Sequence, residues 1–330
     1  MLMIVVTGAA GFIGSALIGE LILRGYGDLV AVDDFSALEK VPNLEGKSIR
    51  LKISRDQFLT WLSDHGKEVQ AIFHIGARTN TAETDWDVLN RLNVHYTQSV
   101  FEQCTRFSIP LIYASSAATY GDGASGFQDG LENIQGLKPL NPYGNSKQLL
   151  DLWVKEQSEK SPSYSFLPPF WAGFKFFNVF GPNEYHKGRM ASVVYHAYHQ
   201  ILENGNVKLF KSYKEGIPHG WQKRDFIWIK DVLNVLIHFM ENRKNSGLYN
   251  LGSGEARTFL DLANAVFSSC GMNPNIDFID MPEDIRENYQ YFTQADTHRL
   301  QQAGYLTAFT KLELAVDDYV VNYLKPLRYL

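Results

Sequence analysis

A doubly wound α/β fold built on a parallel sheet, with a smaller mixed α/β region attached, is what this sequence predicts, and three observations predict it. Short apolar strands alternate with helical periods through the first half, a Gly-x-x-Gly-x-x-Gly turn follows the first strand, and an acid closes the second. In chain order the apolar runs place strands at 3–6, 29–32, 71–75, 111–114 and 174–177. Between them, 15–24, 56–63, 85–107 and 142–159 carry apolar residues at spacings of three and four, as crossover helices do. Beyond Phe180 the expectation is a helix at 190–203, a strand at 226–229 with a helix at 231–240, a short strand at 249–251 and a helix at 259–270. Two long loops, 121–139 and 211–223, are rich in Gly and polar residues, and loops of that kind often cover a site.

The composition narrows the class. With 330 residues, 45% apolar and 20% charged, the chain supports one large or two modest domains. A formal charge of −5 argues against general nucleic-acid binding and leaves anion binding to placed cations. The opening run 1–7 is too short for a signal-peptide core and lacks its basic start, and the longest uncharged stretch, 161–174, holds three prolines and is too short to span a bilayer. No membrane association and a cytoplasmic location are therefore expected. Cys104 and Cys270 lack any Cys-x-x-Cys spacing and read as packed thiols, and no metal site is expected.

Gly8, Gly11 and Gly14 lie between a strand and a helix, where backbone N–H groups at a helix N-terminus can hold a pyrophosphate. Small residues there also serve close helix–sheet packing, but Asp33, about 20 residues on at the end of the second strand, is where an acid meets an adenosine ribose. Such an acid favours NAD, whereas Lys40 and Arg55 lie downstream and can reach a 2′-phosphate, which leaves NAD or NADP open on these grounds. Ser115 and Ser116 follow the strand 111–114; a strand-end Ser is ordinarily a cap. Tyr143 and Lys147 stand at i and i+4 if Asn141 and Pro142 start a helix, which lets the ammonium stabilise a phenolate. Ser116, Tyr143 and Lys147 together supply the orienting donor, proton acceptor and cation that hydride transfer at a secondary alcohol requires.

These motifs, TGAAGFIG at 7–14, YASSAATYG at 113–121, Tyr143 to Lys147 and FNVFGP at 177–182, occur in the order found in the extended short-chain dehydrogenase/reductases, and the chain resembles that Rossmann superfamily over nearly its full length. Within it, HKGRMASV at 186–193, KRDF at 223–226 and YQYFTQAD at 289–296 are similar to the ADP-L-glycero-D-manno-heptose 6-epimerases. The resemblance implies a dinucleotide-binding domain at 1–178, to which 226–254 returns, and a substrate-binding domain at 179–225 and 255–330. It implies retained NADP, transient oxidation of the carbon-6 hydroxyl of ADP-D-glycero-D-manno-heptose, return of the hydride to the other face, and a homo-oligomer. The residues matching the family's acid/base pair are Tyr143 and Lys187, with Lys147 tuning the tyrosine and contacting the cofactor, and Ser116 orienting substrate. Phe12, Ile13, Asp33, Asp34, Lys40, Arg55, Ile75, Gly76, Ala77, Arg78, Thr79, Asn93 and Val179 match cofactor positions; Asn178, His196, Phe210, Arg224 and Tyr289 match substrate positions.

Each role has a plainer rival. Lys187 between His186 and Gly188 is otherwise a solvated loop charge, His196 a packed helix residue, and Arg224 one half of a salt bridge with Asp225. Arg189 stands where the family usually has Ser and adds a candidate substrate contact, the loop 211–222 is longer than usual, and the proline-rich connection 161–170 also differs. The competing functions are another nucleotide-sugar epimerase or dehydratase, a dehydrogenase with net redox, and a non-catalytic dinucleotide-binding module. Ala117, Ala118 and Thr119 after Ser116 offer no carboxylate, which counts against dehydration.

Overall fold

The computed structural model describes residues 2–81, 83–160, 166–286 and 289–330. The first strand, β1 (Met3–Thr7), runs into the glycine turn and α1 (Phe12–Leu23), then β2 (Leu29–Asp33), β3 (Leu51–Ser54), α2 (Arg55–His65) and β4 (Val69–His74). The chain continues through α3 (Trp86–Leu89), α4 (Tyr96–Arg106), β5 (Leu111–Ser116), α5 (Pro142–Lys160) and β6 (Trp171–Phe176). With a later strand, β10 (Gly247–Leu251), these form a seven-stranded parallel sheet ordered β10-β6-β5-β4-β1-β2-β3, so the order reverses between β1 and β4. Ligands of such sheets sit at that crevice, beyond the C-terminal strand ends.

Both faces of the sheet are covered, and the strand alternation divides the core in two. Ile4, Val6, Ala31 and Phe73 face a core shared with α1, while Met3, Val5, Val30 and Ile72 face one shared with Phe58 of α2, Val100 and Phe101 of α4 and Leu150 of α5. The helix expected at 85–107 is interrupted by a π-helical stretch, Asn90–His95, which joins α3 to α4. β3 was not anticipated; it is the sheet edge, with Leu51 and Lys52 exposed.

After β6 come β7 (Asn178–Phe180), α6 (Val193–Asn204), β8 (Val207–Phe210), β9 (Lys223–Trp228), α7 (Ile229–Asn242), β10 (Gly247–Leu251), β11 (Ala256–Thr258), α8 (Phe259–Cys270) and β12 (Ile276–Ile279). Three short helices follow, α9 (Glu283–Arg286), α10 (His298–Gln302) and α11 (Leu312–Tyr319). β10 pairs with β6 in the large sheet, and α7 packs beside α1, where Tyr26 donates to Glu241 (2.9 Å). β9 instead lies between β7 and β11 in a small mixed sheet, and β8 pairs with β12. In the proline-rich connection, 161–165 lie outside the described residues. Cys104 is buried, Cys270 half-buried, and neither is in a disulfide. Among the described residues no helix is long and apolar enough to cross a membrane.

Candidate active site

A cleft of about 430 Å³ opens at the reversal point of the sheet. Gly8, Gly11, Phe12, Ile13, Gly14, Asp33, Asp34, Lys40, Arg55, Ile75, Gly76, Ala77, Arg78, Thr79 and Lys187 all line it. Gly14 has to be glycine, because a Cβ there would lie 2.1 Å from the Gly8 carbonyl oxygen. Gly11 caps α1 without a side chain, so the Phe12, Ile13 and Gly14 N–H groups have no acceptor among the described residues. Such N–H groups at the positive end of a helix dipole fit a dinucleotide's pyrophosphate. At the far end of the cleft the Asp33 carboxylate accepts from Ala10 N (2.8 Å), Asp34 N (2.7 Å) and Lys40 Nζ (3.3 Å). Arg55 lies nearby, 3.2 Å from Asp56 and 3.9 Å from Asp34. The donor set thus suits a dinucleotide, with two cations beside Asp33 and Asp34.

The floor of the cleft is held by groups that the sequence did not single out. Thr7 Oγ1 bonds His74 Nδ1 (2.8 Å) and accepts from Gly76 N (3.1 Å), while His74 Nε2 bonds Thr97 Oγ1 (3.0 Å). Burial, reinforced by Lys147, pushes the His74 imidazole down to about 3. Leu92 and Tyr96 also line the cleft, one residue before and three after Asn93 on the same helical run. Asn93 itself is fully buried behind the wall: it accepts from Arg78 N (2.7 Å) and donates to Arg78 O (3.0 Å) and Ser146 Oγ (3.0 Å). Its reach toward a cofactor therefore runs through the 75–79 loop it fixes.

Asn141 Oδ1 accepts from Gly144 N (2.8 Å) and Pro142 opens α5, so the helix starts where the Asn-Pro pair puts it. A Cβ on Gly144 would come within 2.9 Å of Ala118 O, and its absence lets α5 seat against the turn after β5. Tyr143, hydrogen-bonded to Ser116, is buried; burial raises its phenol and the Ser116 bond lowers it. Ser116 Oγ also accepts from Ala118 N (3.1 Å), so it is both cap and tyrosine partner. Lys147 lies one turn on, buried, with Nζ donating to Ala114 O (2.8 Å). Burial brings its ammonium down to about 8, and the Asp151 charge opposes that fall. Beneath this cluster Asp151 Oδ2 accepts from Ser115 Oγ (2.8 Å) and Lys175 Nζ (2.7 Å), and Lys175 also donates to Thr119 Oγ1 (2.6 Å). A fully buried ion pair of this kind costs desolvation and ties β5, β6 and α5 together behind Ser116.

The 3₁₀ segment Tyr185–Met190 brings Lys187 to the lining of the cleft, which Ser116, Tyr143 and Lys147 do not line. Lys187 is half-buried, its Nζ 5.2 Å from the Phe12 ring centroid, and burial lowers its hold on a proton. It is not a solvated loop charge. His186 bonds Asn43 (3.1 Å), and Asn43 in turn donates to Ala10 O (2.9 Å).

Arg224 is the clearest departure from its rival reading. Asp225 is turned away, its carboxylate accepting from Ser253 N (2.6 Å), Gly254 N (2.9 Å) and Ala295 N (2.9 Å). Arg224 is 7% exposed, sits 5.1 Å from the Tyr289 ring centroid and 5.7 Å from that of Phe259, and donates to Lys223 O (2.9 Å). Among the described residues it has no carboxylate within salt-bridge distance, and Tyr289 is the charge-bearing group that acts on it. Such a buried cation is an anion site in waiting. Gln222, two residues before Arg224, donates to Phe210 O (3.2 Å). Asn178 is exposed and Val179 half-buried on β7, His196 is half-buried on α6 with its ring 5.8 Å from Tyr195, and Arg189 is exposed. Among the described residues none of Asn178, Arg189 and His196 bonds Arg224 or Tyr289.

The class follows from comparison with known proteins: residues 4–252 match the NAD dependent epimerase/dehydratase family, and this chain belongs to it. A nicotinamide dinucleotide is the cofactor class that this family's description states. The chain is 44% identical to the ADP-L-glycero-D-manno-heptose-6-epimerase of Fusobacterium nucleatum, over 98% of this chain and 98% of the relative. It is 43% identical to the protein of that name from Nitratidesulfovibrio vulgaris, again over 98% of each. The solved structure of the Helicobacter pylori ADP-L-glycero-D-manno-heptose-6-epimerase superposes with a TM-score of 0.77 at 25% identity, covering 97% of this chain and 96% of that one. These likenesses bear out the resemblance read from 186–193, 223–226 and 289–296.

Proposed function

We propose that the protein interconverts ADP-D-glycero-D-manno-heptose and its L-glycero epimer, a heptose precursor of lipopolysaccharide, through a transient 6-keto sugar and with NADP retained. The observation that carries this reading is Lys187. A dehydrogenase needs one proton-exchanging group at its alcohol; inversion needs one for each face, and Lys187, a cleft-lining lysine on its own 3₁₀ segment, is a second candidate besides Tyr143 at the start of α5, which does not itself line the cleft. The bound nicotinamide supplies the hydride acceptor and donor. Tyr143 exchanges a proton with the 6-hydroxyl on one face while Ser116 orients that hydroxyl, and Lys147 stabilises the phenolate. Lys187 exchanges the proton on the other face. Arg224, between the rings of Tyr289 and Phe259, grips the diphosphate, with Phe210, Asn178, His196 and Arg189 completing the substrate site. Lys40 and Arg55 beside Asp33 support NADP over NAD. The same reading carries the domain division at 178/179 and 225/226, a cytoplasmic location and a homo-oligomer, which rest on the family resemblance.

The test is epimerisation in deuterium oxide. Return of the same hydride keeps protium at carbon 6 of the product, whereas deuterium there would replace the redox route with proton abstraction.

A further inference from the structure

Glu184 is fully buried, and the mechanism above does not use it. Its Oε1 accepts from Gly181 N (3.3 Å), Ser192 Oγ (2.7 Å) and Tyr319 Oη (3.1 Å), and Oε2 accepts from Ser192 N (2.6 Å). Gly181 precedes the Lys187 segment and Ser192 follows it, so one carboxylate fastens both ends of the loop that presents Lys187. The Lys187 N–H also donates to the Glu184 carbonyl (2.9 Å). The charges act on each other: burial raises the Glu184 carboxyl and the Lys187 ammonium lowers it, while Glu184 opposes the fall that burial imposes on Lys187. Tyr185, Tyr195 and Tyr319 face Glu184; burial raises all three phenols, and its charge raises them further. On the other side Lys187 meets the Phe12 ring of α1, and beside it lies His186, which burial, and after it Lys40 and Lys187, hold towards its neutral form.

We propose that Glu184 is a positioning residue for Lys187, closing the loop that presents the lysine and supplying the buried negative charge against which it exchanges its proton. A lysine stem is long and rotamer-rich, so aiming one Nζ at a reacting atom requires its backbone to be fixed. The buried anion favours the protonated form in a site whose burial weakens it. This inference rests on Lys187 being the second acid/base group.

The experiment measures turnover against pH for Glu184→Gln, starting from each epimer in turn. Loss of the anion disfavours the ammonium, so the limb reporting Lys187 moves to lower pH by about one unit. Where Lys187 acts as base that limb is the acid one, where it acts as acid it is the alkaline one, and both move down. The expected kcat falls roughly 10- to 100-fold with little change in KM, as for a lost positioning contact. Limbs that stay with the wild type, whatever the rate, overturn the proposal, since a purely structural carboxylate lowers activity without moving them. Wild-type and Lys187→Ala controls separate the two readings. A wild type that does not epimerise, or a fully active Lys187→Ala, sinks the acid/base assignment itself. An active wild type, a dead Lys187→Ala and an unmoved Glu184→Gln sink only the positioning role. Should Glu184→Gln not fold with its cofactor, Ser192→Ala decides. It withdraws one donor and keeps the charge, so turnover falls at least about threefold with no downward shift of the limb; unchanged turnover overturns the proposal.

Discussion

Replacing Arg224 by Met should make the free protein more stable and the enzyme much worse. The guanidinium is 7% exposed, packs against the rings of Tyr289 and Phe259, and has no carboxylate partner among the described residues, because Asp225 spends itself on the 253–254 and 295 backbone. Burial already weakens its hold on a proton. Removing such a cation in favour of an apolar chain of similar length relieves about 1–3 kcal/mol of uncompensated desolvation. In a chain of this size that is a rise of a few degrees in Tm, at about 2 °C per kcal/mol. Binding moves the other way: two charge-assisted hydrogen bonds to phosphate, at about 1.5–3 kcal/mol each, cost roughly 10²- to 10⁴-fold in kcat/KM. Arg224→Lys, which keeps a point charge but not the fork, should fall between. Thermal melts and steady-state kinetics with the ADP-heptose read both effects. A lower Tm with unchanged kcat/KM would show that the guanidinium holds the fold, and the anion-site argument would be wrong.

Tyr143→Phe should lose roughly 10²- to 10⁴-fold in kcat while bound dinucleotide and melting temperature stay as in the wild type, because only the phenolic oxygen is removed; normal turnover would eliminate the proton-exchange role. His74 sets a pH dependence of stability. Its folded value of about 3 lies below the ordinary imidazole value of 6.5, so its contribution is present above pH ~6.5 and is lost as pH falls towards ~3, about 2 kcal/mol of it by pH 5. His74→Asn should flatten that part of the unfolding curve between pH 7 and pH 5, and an equally steep curve would assign the acid sensitivity elsewhere. Lys40→Ala combined with Arg55→Ala should lower the preference for NADP over NAD at least about tenfold in a reconstitution titration; an unchanged ratio would mean that neither cation reads the 2′-phosphate.

The glycine turn, the Asp33 position and the Tyr143–Lys147 spacing were legible because each depends on local geometry along one strand or helix. β3 was not, because an edge strand with Leu51 and Lys52 exposed carries little apolar alternation. Arg224 and Asp225 show how adjacency misleads: successive residues of a strand point to opposite faces, so neighbours in sequence are parted by the pleat. The Asp151–Lys175 pair spans a helix and a strand 24 residues apart, and the Thr7–His74–Thr97 chain crosses three elements. No sequence spacing announces either. Glu184 stood beside the recognised FNVFGP motif, yet only the folded chain brings Ser192 and Tyr319 to it. Local motifs locate the reacting groups, and tertiary contacts supply what holds and tunes them.

The central claim is a self-contained inversion at carbon 6, and the most direct measurement mixes the purified, cofactor-loaded protein with ADP-D-glycero-D-manno-heptose, no cofactor added, and follows the carbon-6 configuration by NMR alongside absorbance of reduced nicotinamide. Conversion to the L-glycero epimer with no net accumulation of NADPH is the expected result. An unconverted sugar in the presence of folded, dinucleotide-bound protein, or reduced cofactor accumulating in step with sugar consumed, would contradict it.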